Sequence, residues 1–95
     1  MIDSHPDAMP AERRAILRDK CAKRLPQFQA HYVDELADGL ESYALWLGLL
    51  DLRLKHRAFV GHESLADRDW YGAYEAGQDP IAYADAVLSH EFPQF

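Results

Sequence analysis

The sequence has few of the features that mark a disulfide scaffold, a membrane protein or an exported protein. Cys21 is the only cysteine among 95 residues, so the chain forms no internal disulfide and no thiolate metal cage of its own. The longest uncharged apolar run, Ala44 to Leu50, is much shorter than the roughly 20 residues that span a bilayer. The N-terminal stretch has no apolar signal-peptide core. We therefore expect a cytoplasmic protein with no membrane partner.

Strand signals are also scarce. The sequence has few β-branched residues, no sustained alternation of polar and apolar residues, and no Asn-Gly or Asp-Gly turn between two alternating runs. The length suits one domain, and an apolar fraction of 48 % suits a folded chain. The sequence thus predicts a single compact all-α domain over residues 1–95.

Proline, glycine and capping signals divide the chain into four predicted helices. Pro26 ends the first helix, because proline cannot continue the hydrogen-bond ladder. Ser64 with Asp67 three residues later is typical of a helix start, Gly77 of a helix end, and Asp79–Pro80 of a further start. The predicted helices cover residues 10–25, 27–57, 65–76 and 80–92, with residues 1–9 as an N-terminal extension and the last two helices as a hairpin.

The second predicted helix is the longest and should be central. Its apolar positions recur three and four residues apart, the spacing of a seam that faces a neighbouring helix. A straight helix of this length would measure about 45 Å, whereas a domain of this size has a radius of gyration of about 13 Å. We therefore expect a kink or break, with Gly39 as the best candidate. The predicted seam is Val33, Leu36, Leu40, Tyr43, Leu47, Leu50 and Leu54.

A second apolar stripe occurs only in the C-terminal half of this helix. In the N-terminal half, the residues at the equivalent helical positions are polar or acidic. The N-terminal half therefore needs one neighbouring helix to cover its apolar side, and the C-terminal half needs two. We expect the C-terminal hairpin to cover part of the stripe, and any remainder is a candidate oligomer interface. The stripe consists of Leu45, Trp46, Leu49 and Leu52.

Motifs that carry catalysis or bind cofactors are missing. The sequence has no Gly-x-Ser-x-Gly, no Walker loop, no dinucleotide fingerprint and no His-Glu-x-x-His. His31 and Glu35 lie four residues apart, and a second group lies at the start of the third predicted helix, but neither has the ligand spacing of a known catalytic metal site. The second group is His62, Glu63, Asp67 and Asp69. We expect no enzymatic activity, no metal and no cofactor.

Charge is unevenly distributed along the chain. Residues 1–25 hold six basic and four acidic side chains, a balance of +2, whereas residues 26–95 hold four basic and twelve acidic side chains, a balance of −8. An acidic body repels phosphate backbones and attracts basic surfaces. A larger protein or nucleoprotein complex with a basic surface is therefore the expected partner, and direct nucleic-acid binding is not.

Aromatic and acidic residues occur together near the third predicted helix. The helical spacing of the aromatic residues is also typical of a hydrophobic core. Two interpretations therefore stay open: the aromatic residues form part of the core, or they form an aromatic contact area inside an acidic rim. The predicted partner-binding residues are Trp70, Tyr71, Tyr74, Asp67, Asp69, Glu75 and Asp79, with a second acidic face at Asp34, Asp38 and Glu41.

These observations favour a small acidic helical module that occupies a surface of a larger partner. By analogy of size and charge alone, inhibitors encoded on phages and plasmids, such as anti-CRISPR and anti-restriction proteins, imitate nucleic-acid charge in this way. The alternative is a dimeric helical regulator that contacts DNA through the basic first helix. A third hypothesis is a structural subunit whose second apolar stripe forms an obligate interface.

Overall fold

The computed structural model describes residues 5–65 and 68–92, and within these the chain forms α-helices, short 3₁₀ turns and no β-strand. The all-α class predicted from the sequence is confirmed. The Cα radius of gyration is 12.6 Å. Among the described residues, no helix is long and apolar enough to cross a membrane. The helices are α1 (Ala11–Arg24), α2 (Phe28–Ala37), α3 (Glu41–Ala58), α4 (Trp70–Glu75) and α5 (Pro80–Glu91).

Helix α3 lies at the centre, between two groups of buried side chains. On one side, residues of α1 and α2 such as Cys21 and Phe28 pack around Leu45. On the other side, Ala84 and Leu88 of α5 pack around Trp46. Leu45 is 1 % exposed and Trp46 is 0 % exposed, so both belong to the core of the single chain and cannot form an oligomer interface. Leu49 and Leu52 are partly buried and pack against the α1/α2 side.

The break expected in the long helix occurs at Gly39. Its φ of 75° is left-handed, a conformation that glycine adopts without a steric penalty. The amide of Leu40 donates to the carbonyl of Glu35 at 2.7 Å, which closes the end of α2. Helix α3 then continues through Gly48 without interruption.

The predicted seam is wrong in α2. Val33 is 52 % exposed and Leu36 is 48 % exposed, and the buried residues of this helix are Phe28 and Tyr32 instead. The predicted seam assumed that one continuous helix runs through Gly39. The break at Gly39 instead reorients α2, so that a different face of α2 packs against α3. Two large apolar side chains are left on the outer surface of α2 as a result.

The C-terminal hairpin forms with a shorter first helix than predicted. Helix α4 begins at Trp70 rather than residue 65, because the carboxylate of Asp69 accepts from the amide of Gly72 at 2.8 Å and caps the helix there. Ser64 lies in a 3₁₀ turn, and the start signal read from Ser64 and Asp67 was wrong. Asp67 lies outside the described residues.

The second half of the hairpin follows the sequence signals closely. Gly77 has a φ of 79° in the turn after α4. The carboxylate of Asp79 caps α5 by accepting from the amide of Ala82 at 3.2 Å, with Pro80 in the first turn. The indole nitrogen of Trp46 donates to the carbonyl of Gln78 at 2.8 Å, which ties this turn to α3.

The N-terminal segment is part of the fold from His5 onwards, not a free extension. His5 is buried, its ring stacks on that of Tyr74 with centroids 5.1 Å apart, and its Nε2 donates to the carbonyl of Tyr74 at 3.0 Å. A 3₁₀ turn at Pro6–Ala8 packs against α3. The side chains of Ser42 and Tyr74 both donate to the carboxylate of Asp7.

Candidate functional site

The aromatic residues predicted for partner binding contribute mainly to packing. The ring of Trp70 meets Tyr83 edge-on at 6.1 Å, and the ring of Tyr74 meets Trp46 edge-on at 6.4 Å. Both Trp70 and Tyr74 are partly buried against the α3/α5 side of the core. Tyr71, at 36 % exposure, is the most open of the three predicted aromatics. This group therefore offers a partner little contact area.

The acidic residues around that aromatic group have structural roles of their own. Asp69 caps α4 and Asp79 caps α5. Glu75 is exposed at the end of α4. Two of the three described carboxylates in this predicted rim are thus explained by capping alone.

The outer face of α2 has the composition expected of a recognition surface. Val33 and Leu36 are its exposed apolar residues, and Asp34 and Asp38, four apart, are exposed further round the same helix. Exposed apolar residues accompanied by carboxylates are the combination that the sequence analysis had assigned to the aromatic group. We call these four residues the α2 face.

Glu41, which the sequence placed on the same acidic face, is occupied within the fold. Its carboxylate accepts from the hydroxyl of Tyr32 at 2.9 Å, and that hydroxyl also accepts from the guanidinium of Arg18 at 3.3 Å. This hydrogen bond raises the pKa of Arg18 above its ordinary value. The chain of three side chains connects α1, α2 and α3, so Glu41 positions the α2 face rather than forming part of it.

The basic residues of the acidic body are already engaged. Arg53 and Arg57 both donate to Asp85, at 2.9 and 3.0 Å, and Arg68 donates to Glu91 at 2.7 Å. The hydrogen bond from Arg53 lowers the pKa of Asp85, so this carboxylate stays ionised. Within residues 5–65 and 68–92, no ion pair is found for Asp34 or Asp38. Their charges are available to a partner.

Helix α1 carries the opposite charge. Arg13, Lys20 and Arg24 are exposed on it, and Ile16 stands among them with 69 % of its surface in solvent. Lys23 pairs with Asp19 on the same helix at 3.0 Å. A basic helix and an acidic helix thus occupy different parts of one small molecule.

Sequence reasoning missed a cavity beside α3. It lies between α2, the middle of α3 and residues 59–64, and its volume is about 340 Å³. Two hydrogen bonds lie in its wall. Nδ1 of His62 bonds to Oδ2 of Asp51 at 2.9 Å, and Nε2 of His31 bonds to Oε1 of Glu63 at 2.6 Å. The one available signal was Asp51, a charged residue within an otherwise apolar stretch of α3. Its partner, His62, lies 11 residues later, and the sequence does not show that the two side chains meet.

The remaining reactive groups offer little chemistry. Burial raises the pKa of Cys21 to about 12, so the thiol stays protonated and unreactive at neutral pH. In the described parts of the chain, no group of three or more histidine, cysteine or acidic side chains is arranged to hold a metal ion.

Comparison with known proteins finds no relative of this chain. No protein-family model, curated protein or solved structure matches this chain.

Proposed function

We propose that this protein is a non-enzymatic binding module whose α2 face docks on a basic surface of a larger protein or nucleoprotein complex. The observation that carries the proposal is the exposure of Val33 and Leu36 on the same helix as two exposed carboxylates, Asp34 and Asp38, for which the described structure holds no cation partner. Large apolar side chains that are half exposed stabilise a monomer less than buried ones do, because only part of their area is removed from water. They contribute to affinity when a partner covers them.

The two halves of the α2 face have different roles in this proposal. The carboxylates attract a basic partner over a distance and raise the association rate, an effect that salt screens. The apolar pair supplies the area that is removed from water in the complex, and so slows dissociation. A basic partner is favoured because the chain carries a formal net charge of −6 at neutral pH, with the body more acidic than α1.

The biological setting that fits this mode of action is inhibition in the cytoplasm. A small acidic helical protein that covers a basic groove keeps nucleic acid out of it, which is how a phage- or plasmid-encoded inhibitor of a nucleoprotein enzyme would act. This part of the proposal rests on size and charge.

Affinity capture with charge variants tests the proposal. The tagged full chain is used as bait in the native cell, together with the double variant Asp34→Lys/Asp38→Lys and the control Glu12→Lys/Glu75→Lys, which makes the same change in net charge at exposed positions elsewhere. We expect a defined basic partner that the wild type and the control retain and the α2 variant loses. Equal capture by all three baits would show that the α2 face is not the binding surface.

The exposed basic residues of α1 support a second candidate, a dimer that binds DNA. It requires an affinity for duplex DNA that falls steeply with salt, because each phosphate contact releases counterions. Electrophoretic mobility shifts at several salt concentrations measure this. Loss of DNA binding in Arg13→Ala/Lys20→Ala/Arg24→Ala would support this candidate, and no binding at low salt would exclude it.

A further inference from the structure

The cavity beside α3 has an apolar floor that no side chain of the described residues fills. Phe28 of α2 and Ala44, Leu47 and Gly48 of α3 line it, and its volume of about 340 Å³ lies within the range of small-molecule sites. Segment 59–64 forms one wall. The cavity is separate from the α2 face, whose residues do not line it.

The two carboxylates in the cavity wall are both occupied. Asp51 accepts from the backbone amide and from the ring Nδ1 of His62, at 2.8 and 2.9 Å. Glu63 is paired with His31 at 2.6 Å. Each acidic group therefore already has a histidine as its hydrogen-bond partner.

The opposite side of the cavity is basic. Lys55 and Phe59 line the cavity and also an adjoining depression between the C-terminal ends of α1 and α3. The ammonium group of Lys55 donates to the carbonyl of Arg24 at 2.7 Å, which holds these two basic residues close together. The basic residues of the depression are Lys23, Arg24, Lys55 and His56. Asp19 neutralises Lys23, and the rest leave a net positive charge.

Phe59 lies between the cavity and the depression in an unusual conformation. Its φ is 59°, in the left-handed region that bulky side chains rarely adopt, and 89 % of its surface is exposed. Glycine at this position would make the fold more stable, because glycine adopts this conformation without strain and the phenyl ring buries almost no apolar area. Residues held in strained conformations are concentrated at binding sites. A ligand in the cavity would cover this ring.

From these features we infer that the cavity binds a small amphipathic monoanion, with an apolar, preferably aromatic, body on the Phe28 and Leu47 floor and a carboxylate at Lys55. The charge of Lys55 favours this class, because its ammonium group at the open edge of the cavity repels a cation and attracts a carboxylate. Phe59 packs against the exposed face of the ligand. This inference is independent of the docking proposed for the α2 face.

Isothermal titration calorimetry on the full chain tests the inference with three probes that differ only at the polar end. These are 2-naphthoate, 2-naphthylmethanol and 2-naphthylmethylammonium. We expect saturable binding of 2-naphthoate with one site per chain, at least tenfold tighter than the alcohol and tighter still than the amine. Absence of saturable binding by 2-naphthoate at millimolar concentration, or equal affinity for all three probes, would overturn the inference.

Variants of residues that line the cavity show whether 2-naphthoate binds there. Lys55→Glu and Phe59→Gly should each weaken 2-naphthoate binding at least tenfold, whereas Arg13→Glu, which makes the same charge change as Lys55→Glu at the far end of α1, should bind like the wild type. If Lys55→Glu loses helical circular dichroism, Lys55→Gln takes its place. Binding that all variants retain would locate the ligand elsewhere and contradict the assignment.

Discussion

At the scale of single residues, the most informative position is Phe59. It ends α3 in a left-handed conformation, where Cβ lies too close to the following carbonyl oxygen, and its ring is almost fully exposed. The sequence does not reveal this exposure, because a phenylalanine that follows an apolar helix ordinarily makes a buried contact. Only the position of the turn after α3 shows that the ring faces solvent.

The strain at Phe59 predicts that Phe59→Gly stabilises the fold. Glycine adopts a φ of 59° without the Cβ penalty, and no apolar burial is lost, so the free energy of unfolding should rise by about 1 kcal/mol. Urea denaturation followed by circular dichroism measures this. Phe59→Ala keeps the Cβ and serves as the matched control, with a change of no more than about 0.5 kcal/mol. A less stable glycine variant would mean that the ring packs in the folded protein.

The pair of His62 and Asp51 predicts a pH dependence of stability. Burial of His62 opposes protonation, but the hydrogen bond and charge of Asp51, helped by Glu63, outweigh it and raise the pKa of His62 above its usual value of 6.5. Because the folded-state pKa lies above the unfolded one, this stabilisation is fully present below pH 6.5 and disappears as the pH rises through the raised pKa.

Thermal melts from pH 5.5 to 9 measure this effect in the wild type and in His62→Gln. Glutamine keeps a hydrogen-bond donor for Asp51 and cannot titrate. We expect the melting temperature of the wild type to fall with increasing pH by more than that of the variant, so that the difference between them narrows. Parallel curves would show that folding does not raise the pKa of His62.

At the scale of elements, the sequence predicted the helical class, the break at Gly39 and the start of α5, because these depend on local backbone chemistry. It was wrong about which face of α2 is buried, since the direction of a helix after a break depends on the packing of α1 and α3. The sequence analysis also placed the start of α4 too early. Ser64 with Asp67 three residues later matches the usual helix-start pattern more closely than Asp69 does, although Asp69 is the residue that caps α4.

The same distinction applies to the candidate site. Asp34 and Asp38 were predicted from charge alone and are exposed, whereas Val33 and Leu36 were assigned to the core. Glu41 was predicted to face a partner but bonds to Tyr32 within the fold. Charge pattern identifies an acidic helix from the sequence. Which of its neighbours are exposed depends on tertiary contacts.

The crossing of three helices at Gly48 predicts a cost for added volume. A Cβ there would lie 2.7 Å from the sulfur of Cys21 and 2.9 Å from a ring carbon of Phe28. Alanine favours a helix over glycine by about 1 kcal/mol, but overpacking costs about 1–3 kcal/mol. Gly48→Ala should therefore be less stable than the wild type.

Chemical denaturation of a double-mutant cycle tests this. Cys21→Ala removes the sulfur that the new methyl group would meet, so Gly48→Ala should be less destabilising in the Cys21→Ala background than in the wild type. Additive changes, or a Gly48→Ala protein as stable as the wild type, would show that α1 and α2 do not pack closely on Gly48.

At the scale of the whole molecule, the main feature is the separation of charge and of exposed apolar area. Arg53 and Arg57 pair with Asp85, and Arg68 pairs with Glu91. None of these cations neutralises α2, so α2 is acidic whereas α1 is basic. The core on both sides of α3 is complete without a second copy. We therefore propose that the molecule acts through its surfaces, and the α2 face combines apolar area with carboxylates that have no ion pair in the described residues.

The measurement that tests this account most directly is the affinity of the captured partner for two variants of the α2 face, each determined at low and high salt. Val33→Ser/Leu36→Ser should weaken binding at least tenfold at both salt concentrations, because it removes apolar contact. Asp34→Asn/Asp38→Asn should weaken binding strongly at low salt and much less at high salt, where charge is screened. Unchanged affinity in both variants would contradict the assignment of the α2 face as the binding surface.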